Sequence, residues 1–185
     1  KIQNSKLKTK KGFTLIELLI VIGIISILAT AVVLVLNPAQ LLAQARDSTR
    51  ISDLGSIKSA IGLYLATATS PAVTAEARST ASTTCAFTTC VVPAAAALQD
   101  TDGTGWVTIN LSGTTGGSAL SVLPIDPTNT ATYQYAYKGD ATNLTFELDA
   151  VLESTKYTVT NPMMVNDGGN SSSYYEIGTD PGLDL

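Results

Sequence analysis

The apolar residues of this chain are concentrated in one segment near its start. From Phe13 to Leu36 there are 24 residues with a single charged side chain, Glu17. The remaining residues are rich in Thr, Ser, Ala, Gly and Asn, with only short apolar runs. As a helix the segment would be about 36 Å long, whereas the hydrocarbon core of a bilayer is about 30 Å thick. The pattern therefore predicts one membrane-spanning helix attached to a body that lies in water.

A second helical pattern follows the apolar segment. Asn37-Pro38 interrupts the first helix, because proline removes a backbone hydrogen bond. If the helix is continuous apart from this kink, residues 13–65 extend roughly 80 Å. Apolar residues recur at spacings of three and four, and they are Leu54, Ile57, Ile61 and Leu65. The charged residues on the other faces are Arg46, Asp47, Arg50, Asp53 and Lys58. We expect this amphipathic helix to lay its apolar stripe on a sheet.

The second half of the chain alternates apolar and polar residues as strands do. We predict strands over residues 106–111, from Tyr133 to Tyr137 and over residues 144–150, with a further strand over residues 156–160. The turn between the second and third strands is predicted to start at residues 138–140. The tyrosines at 133, 135 and 137 could form a stacking platform, but core packing is the better default. The predicted fold class is α+β, with a long N-terminal α-helix packed on a small antiparallel sheet.

Charge is distributed unevenly along the chain. Five of the eleven basic residues precede Phe13, and the rest of the chain carries six basic and fifteen acidic residues, a net charge of −9. Positive flanks stay in the cytoplasm, so the body is predicted to be extracytoplasmic, on a single-pass precursor in the cytoplasmic (inner) membrane. A body this acidic is not expected to bind nucleic acid directly. The predicted division is a basic leader (1–12), a membrane and assembly half of the helix (13–36), an amphipathic half (37–66) and a globular domain (67–185).

The cysteine and histidine content limits the chemistry of the body. The chain has no His, and its two cysteines are Cys85 and Cys90. A zinc site usually needs about four Cys or His ligands, so a disulfide that closes a short loop fits better, with two free thiols as the alternative. The sequence also has no Gly-rich phosphate loop and no Ser in a nucleophile elbow. We therefore expect a protein that is not an enzyme.

Two ordinary explanations of the N-terminal segment compete with an assembly role. A cleaved secretory signal would use Ala29-Thr30-Ala31 as its cleavage site, but the apolar run continues past it to Leu36. A plain membrane anchor does not explain Glu17, because a charge in hydrocarbon costs at least about 2.5–3.5 kcal/mol. The remaining alternative for Glu17 is a side chain that snorkels to the interface or stays protonated.

The residues around the start of the apolar run resemble a known signal. Lys10-Lys11-Gly12-Phe13-Thr14-Leu15-Ile16-Glu17, followed by Leu18-Leu19-Ile20-Val21-Ile22, resembles the class III signal of type IV pilins and type II secretion pseudopilins. The resemblance implies that a prepilin peptidase cuts between Gly12 and Phe13 and methylates the new amino group of Phe13. It also implies that the apolar segment is kept. More thinly, Ala45 to Tyr64 resembles the helix of these proteins, and Leu123 to Pro127 resembles the Pro-Asp-Pro stretch of major pseudopilins.

The resemblance and the position of Glu17 together predict a function. Glu17 lies about 6 Å of helix rise beyond Phe13, so staggered subunits could place it near the Phe13 ammonium of a neighbour. The expected protein is a structural subunit of a type IV pilus (fimbrium) or a type II secretion pseudopilus. Its expected partners are copies of itself in a helical filament, the prepilin peptidase, an assembly platform and, before assembly, membrane lipid. The alternative is a membrane-anchored extracytoplasmic binding module that never polymerises.

Two acidic stretches raise the question of calcium. Residues 100–103 begin like an EF-hand loop but lack its terminal glutamate, so a turn is predicted. The stretch from Asn166 to Asp180 resembles the calcium loop near the C-terminus of major pseudopilins, although it has fewer carboxylates. The resemblance implies Asn166, Asp167 and Asp180 as possible calcium ligands, with an ordinary Gly-rich turn as the alternative.

Overall fold

The computed structural model of the chain describes residues 12–114 and 116–185. The chain divides into two compact units, of which the first ends at Ala39 and the second runs from Gln40 to Leu185. Helix α1 spans Leu15–Leu36 in the first unit. Helix α2 spans Pro38–Thr67, and most of it belongs to the second unit. The predicted basic leader, up to residue 11, lies outside the described residues.

The helical region is interrupted at the predicted position. Asn37, which ends α1, has a left-handed backbone with φ of 40°. Asparagine is one of the few residues that tolerates this conformation. Pro38 then occupies the first position of α2, where the missing N–H of proline costs no helical hydrogen bond. The interruption predicted from Asn37-Pro38 is confirmed.

The body contains a four-stranded antiparallel sheet in the order β1-β2-β3-β4. Its strands are β1 (Arg78–Ser79), β2 (Tyr135–Asp140), β3 (Thr145–Ala150) and β4 (Tyr175–Gly178). Between them lie a 3-10 turn at Leu111–Gly113, a single π-helical turn at Lys156–Thr160 and a short helix α3 at Met163–Asn166. The predicted α+β class, with a helix followed by a small antiparallel sheet, is confirmed.

One face of the sheet packs against α2 to form the core. Because side chains alternate along a strand, the pairing of Tyr135 with Ala150 and of Tyr137 with Leu148 places all four on the same face. Helix α2 contributes a stripe of buried residues to this core: Leu54, Ile57, Ala60, Ile61 and Tyr64. The predicted stripe is confirmed except at its end, since Leu65 is only partly buried. Of the predicted tyrosine stripe, Tyr135 and Tyr137 are fully buried core residues rather than a stacking platform. Tyr133 lies before the start of β2, is only partly buried, and has the Arg50 guanidinium 4.9 Å from its ring centre.

Several predicted strands differ from the observed ones. The stretch over residues 106–111 forms no strand, although Trp106, Val107, Ile109 and Leu111 are all buried. The alternation of apolar and polar residues in this stretch arises because a loop directs its apolar side chains into the core. The Trp106 indole N–H donates to the Pro124 carbonyl at 2.9 Å. Residues 156–160 form the π-helical turn instead of a strand. The predicted turn at 138–140 is the end of β2, and the chain turns at residues 141–144. Strands β1 and β4 were not predicted.

A buried ion-pair cluster connects α2 to the segments before β2 and after β3. We call it the Arg50 network, and its members are Arg46, Asp47, Arg50, Asp126 and Glu153. The fully buried Arg50 donates to Asp126 at 2.6 and 3.1 Å, to Asp47 at 2.8 Å and to Glu153 at 2.7 Å. Arg46 donates to both Glu153 oxygens, at 2.7 and 2.8 Å.

The sequence prediction placed Asp47 and Arg50 on the other faces of the helix, away from the core. They lie away from the apolar stripe, but both are fully buried in this network. Burial raises the pKa of Asp126, but the hydrogen bonds from Arg50 and Thr128 outweigh it and hold that pKa below its ordinary value. The cluster therefore carries its own compensating charge.

The opposite face of the sheet is covered by a disulfide loop. Cys85 and Cys90 are joined, with their Cα atoms 5.9 Å apart, and both pack against Ala136 of β2. Phe87 in the same loop lies under the Lys138 ammonium, 5.8 Å from it to the ring centre. Beside this loop the same face carries three acidic side chains, Glu147 and Asp149 of β3 and Glu176 of β4. We call these three the back-face carboxylates.

Candidate processing and assembly segment

The junction between Gly12 and Phe13 lies just before α1, in chain that belongs to no helix or strand. Phe13 is 85 % exposed, so this aromatic side chain has little cover from the rest of the chain. A Cβ atom added at Gly12 would meet no described atom within 4 Å. Nothing in the described fold therefore requires a glycine at position 12. A requirement for glycine there would have to come from outside the folded chain.

Glu17 takes part in a capping box at the start of α1. Thr14 is the N-cap residue, and its hydroxyl oxygen accepts from the Glu17 backbone N–H at 3.2 Å. In return the Glu17 carboxylate accepts from the Thr14 backbone N–H and from the Thr14 hydroxyl, both at 2.8 Å. This arrangement satisfies two of the amide groups that a helix start leaves without helical partners. Sequence reasoning missed it, although Thr-x-x-Glu before an apolar run is its usual signal.

The two hydrogen bonds that the Glu17 carboxylate accepts from Thr14 both end on the same oxygen, Oε2. Within the described residues, no hydrogen bond to Oε1 is found. The capping box therefore uses one half of the carboxylate and leaves the other half able to accept from a second donor. Its negative charge also sits at the helix end where the macrodipole favours an anion.

Helix α1 is apolar on all sides. Its span Leu15–Val33 has a mean hydropathy of 2.7, and none of it is buried within the chain. A helix that presents apolar residues all round needs lipid or other protein around it. By length and composition this is the one candidate membrane span among the described residues. Near the N-terminus, a cleaved signal sequence would pass the same test, so the spanning helix alone does not identify the protein.

Comparison with known protein families identifies the segment. Residues 7–33 match the prokaryotic N-terminal methylation motif. The chain carries the class III signal of type IV pilins and pseudopilins. The match covers Gly12, Phe13 and Glu17 and most of α1, and it stops well before the body. Neither a search of curated proteins nor a search of solved structures found a match. The motif supports a pilin-like or pseudopilin precursor, implies processing by a prepilin peptidase and assembly into pilus-like polymers, and is typical of structural proteins rather than enzymes.

Each of the three predicted calcium ligands makes a hydrogen bond to a different part of the protein. Asn166 donates to the Pro162 carbonyl at 2.7 Å. Asp167 accepts from the backbone N–H of Glu176, at the start of β4, at 2.9 Å. Asp180 lies beyond the end of β4 and accepts from the Thr145 hydroxyl at 3.0 Å. Each of the three has its own protein partner, and calcium binding by this set stays a prediction.

The back-face carboxylates were not recognised from the sequence pattern. Glu147 and Asp149 fall between the apolar residues of β3, where alternation predicts a solvated face. The structure buries both, together with Glu176. Their proximity depends on the pairing of β3 with β4, and β4 was not predicted. Nothing in the sequence pattern therefore indicated that Glu176 lies directly opposite Asp149.

Proposed function

We propose that this protein is the structural subunit of a type IV pilus or a type II secretion pseudopilus. It is inserted as a membrane precursor, cut after Gly12, methylated at Phe13 and polymerised through α1. The observation that carries the proposal is the match of residues 7–33 to the N-terminal methylation motif. That motif coincides with a helix that is apolar on every side and has no cover within its own chain. A helix of this kind suits both environments in the proposed life of the subunit, lipid first and the packed filament core afterwards.

The glycine at the proposed cleavage site fits recognition by a peptidase. Because the described fold leaves space at Gly12, a side chain there would not disturb the folded chain itself. A peptidase must approach the backbone closely, and a β-branched residue would obstruct that approach. Glycine at this position is therefore explained by the enzyme that cuts the chain rather than by the fold.

Glu17 fits a role in joining neighbouring subunits. After cleavage the new Phe13 ammonium would sit at the positive end of the α1 macrodipole, where a cation is disfavoured. A carboxylate from a staggered neighbour would neutralise it, and the Oε1 atom of Glu17 is the half of the side chain that the capping box leaves over. The capping box can persist in the mature chain, because Thr14 keeps its N–H when Phe13 becomes the first residue. One side chain would then cap its own helix and bind the next subunit.

The rest of the proposed biology follows from the orientation of α1. The basic leader stays in the cytoplasm, which places the body outside it on the inner membrane until assembly. The partners are the peptidase, the assembly platform and further copies of the chain. Within this class a surface pilus is distinguished from a secretion pseudopilus by the genes beside this one. A retraction ATPase indicates the pilus, and a secretin with secretion partners indicates the pseudopilus.

The decisive experiment separates the charge of Glu17 from its capping role. Glu17→Gln keeps a side chain that can complete the capping box but removes the charge, whereas Thr14→Val removes the cap hydroxyl and keeps the charge. We expect Glu17→Gln to reach the membrane and be processed at wild-type levels while filaments are largely lost. Thr14→Val should lose little, because an N-cap is worth about 1 kcal/mol, less than the about 3–5 kcal/mol of an unpaired buried charge.

The readouts are mass spectrometry of the N-terminus, immunoblots of the membrane fraction and filament counts by electron microscopy. The mature chain should begin at N-methylated Phe13, and Gly12→Val should accumulate as uncut precursor. Gly23→Val is the matched control, since Gly23 also has open space around its Cα. A mature start after Ala31 would refute the processing step. Wild-type filament numbers from Glu17→Gln would refute the assembly role and favour a membrane-anchored module that does not polymerise.

A further inference from the structure

The back-face carboxylates are brought together by the register of β3 and β4. Asp149 pairs directly with Glu176 across the two strands. Glu147 lies two residues before Asp149 on β3, so its side chain projects from the same face. One oxygen from each carboxylate lies within 4.8 Å of one from each of the others. Three acidic side chains from two strands therefore converge on one point, on the side of the sheet away from α2.

These carboxylates are buried and poorly compensated. Glu147, Asp149 and Glu176 are 2 %, 1 % and 3 % exposed. Glu147 accepts from the Leu185 backbone N–H at 3.0 Å, and Glu176 accepts from the Ser171 backbone N–H at 2.8 Å. Neither oxygen of Asp149 has a hydrogen-bond partner within the described part of the chain. Among the described residues, none of the three forms an ion pair with Lys or Arg.

The basic residue that lies opposite Glu147 in the sheet is engaged elsewhere. Lys138 pairs with Glu147 in the β2–β3 register, but its ammonium lies over the Phe87 ring. Asp167, which accepts from the Glu176 backbone, adds further negative charge on the same side. Burial and the mutual repulsion of these groups raise the pKa of Glu147 to about 7 and that of Asp149 well above its ordinary value. An unpartnered, buried Asp149 aimed at two other carboxylates is therefore costly in its charged form, and a cation bound by all three would remove that cost.

We propose that Glu147, Asp149 and Glu176 bind a divalent cation and that the site prefers Ca²⁺. The ligands are all carboxylate oxygens, which are the donors that Ca²⁺ and Mg²⁺ take. Ca²⁺ binds oxygen at about 2.3–2.6 Å, so ligands on opposite sides of the ion are about 4.6–5.2 Å apart. The three carboxylate oxygens lie within 4.8 Å of one another, so a single Ca²⁺ ion can reach all of them. Mg²⁺ demands near-ideal octahedral geometry and gives up its waters reluctantly, so three carboxylates buried on paired strands suit Ca²⁺ better.

The surroundings can complete the coordination of a large ion. A cavity of about 450 Å³ opens beside the carboxylates, and it is lined by Asn170, Ser171, Ser172 and Tyr174. Ca²⁺ takes six to eight oxygen ligands, so three carboxylates leave positions for water in this cavity. The site differs from the loop residues Asn166, Asp167 and Asp180. Its ligands lie on paired strands, which hold them at fixed spacing in a way that a Gly-rich loop does not.

The test measures ion binding by the full chain in detergent, after removal of divalent ions with a chelator. Tb³⁺, which takes Ca²⁺ sites, should luminesce when Tyr174 beside the cavity is excited, and Ca²⁺ should displace it more effectively than Mg²⁺. Ca²⁺ should also raise the melting temperature by several degrees in a concentration-dependent way. Asp149→Asn and Glu176→Gln should each weaken Ca²⁺ binding about tenfold or more, because ligand charge sets the affinity of such sites.

The controls distinguish this site from its rivals. Asp149→Asn is nearly isosteric and removes a charge without a partner, so the ion-free variant should melt no lower than the wild type. Asp180→Asn alters the loop set, and Asp102→Asn alters an exposed turn; neither should change Ca²⁺ binding.

The proposal is overturned if the wild type shows neither Tb³⁺ luminescence nor a Ca²⁺-dependent shift in melting temperature. It is equally overturned if Asp149→Asn keeps the full shift, or if Asp180→Asn alone loses it, which would place the ion in the loop. Equal displacement by Mg²⁺ would refute the preference for Ca²⁺.

Discussion

The two buried charge clusters of the body differ in one respect. The Arg50 network contains three carboxylates, Asp47, Asp126 and Glu153, and two arginines that donate to them. The back-face carboxylates are also three, but among the described residues they have no basic partner within ion-pair distance. In the Arg50 network Asp47 and Asp126 are buried and Glu153 is partly buried, whereas all three back-face carboxylates are buried. Hydrogen bonds from Arg46 and Arg50 keep the pKa of Glu153 low, whereas burial raises the pKa of Glu147.

This difference separates a structural role from a binding role. A buried carboxylate is stable only when its charge is matched, and the Arg50 network matches it with groups supplied by the chain. Its bonds connect α2 to Asp126, ahead of β2, and to Glu153, after β3, so the network fixes the helix on the sheet. The back-face carboxylates make no such connection. Their negative charge must be removed by protonation or matched by an ion from outside.

The largest expected effect comes from removing the centre of the Arg50 network. Arg50→Met keeps most of the side-chain volume but leaves Asp47 and Asp126 buried without their cation. We expect a loss of about 3–5 kcal/mol in the free energy of unfolding. Urea unfolding of the full chain in detergent, followed by the fluorescence of Trp106, measures it. Trp106 is the single tryptophan and is fully buried, so its emission reports on the core.

The matched control for this change is the second arginine of the network. The Arg46 side chain is 34 % exposed and, among the described residues, bonds to Glu153 alone, so Arg46→Met should cost far less than Arg50→Met. Equal losses from the two variants would show that burial does not distinguish these arginines. The contrast between the Arg50 network, whose carboxylates have arginine partners, and the back-face carboxylates, which have none among the described residues, would then not explain stability.

An Asp→Asn substitution is expected to change the free energy of unfolding by a smaller amount, and in opposite directions in the two clusters. Asp126→Asn removes the charge that faces Arg50 and should cost about 2–3 kcal/mol. Asp149→Asn relieves repulsion among the back-face carboxylates and, without divalent ions, should stabilise the chain by about 1 kcal/mol. Urea unfolding of both variants in chelator measures the pair. A loss of similar size from Asp149→Asn would mean that this carboxylate already has a partner and would remove the case for an external ion.

The helical elements were predicted well because their signals are local. The apolar run, the interruption at Asn37-Pro38 and the spacing of Leu54, Ile57 and Ile61 depend on neighbouring residues alone. The strand over residues 106–111 was predicted wrongly for the same reason. Alternating apolar residues indicate which side chains are buried, not which backbone groups pair. A loop held by the Trp106 indole bond gives the same alternation without the backbone hydrogen bonds of a strand. Short strands such as β1 and β4 carry too few residues to show a period.

The charged clusters could not be predicted, because each one is assembled from distant segments. Arg50 meets Asp126 across 76 residues and Glu153 across 103. A helical wheel places Arg50 off the apolar stripe, and only the tertiary fold shows that this side of α2 is covered as well. The N-terminal segment is the opposite case. Its recognition depends on Gly12, Phe13 and Glu17 in close succession, so the order of residues is enough to predict it.

An effect no larger than that of Asp126→Asn is expected from opening the disulfide loop that covers the back face. A ring closed between Cys85 and Cys90 is short, and the chain-entropy estimate for six residues is about 2 kcal/mol. Cys85→Ser combined with Cys90→Ser should therefore lower stability by about that amount and leave the core intact, since α2 packs on the other face of the sheet. The loop lies beside the back-face carboxylates, with Ala86 and Phe87 lining the same cavity, and its cysteines pack in a different cluster from the core that α2 forms. The double variant should accordingly weaken Ca²⁺ binding while the further loss caused by Arg50→Met stays unchanged. Calcium titration followed by Tb³⁺ displacement, together with urea unfolding of the combined variant, checks both halves. A changed cost of Arg50→Met would show that the two faces of the sheet are coupled and that the clusters do not act independently.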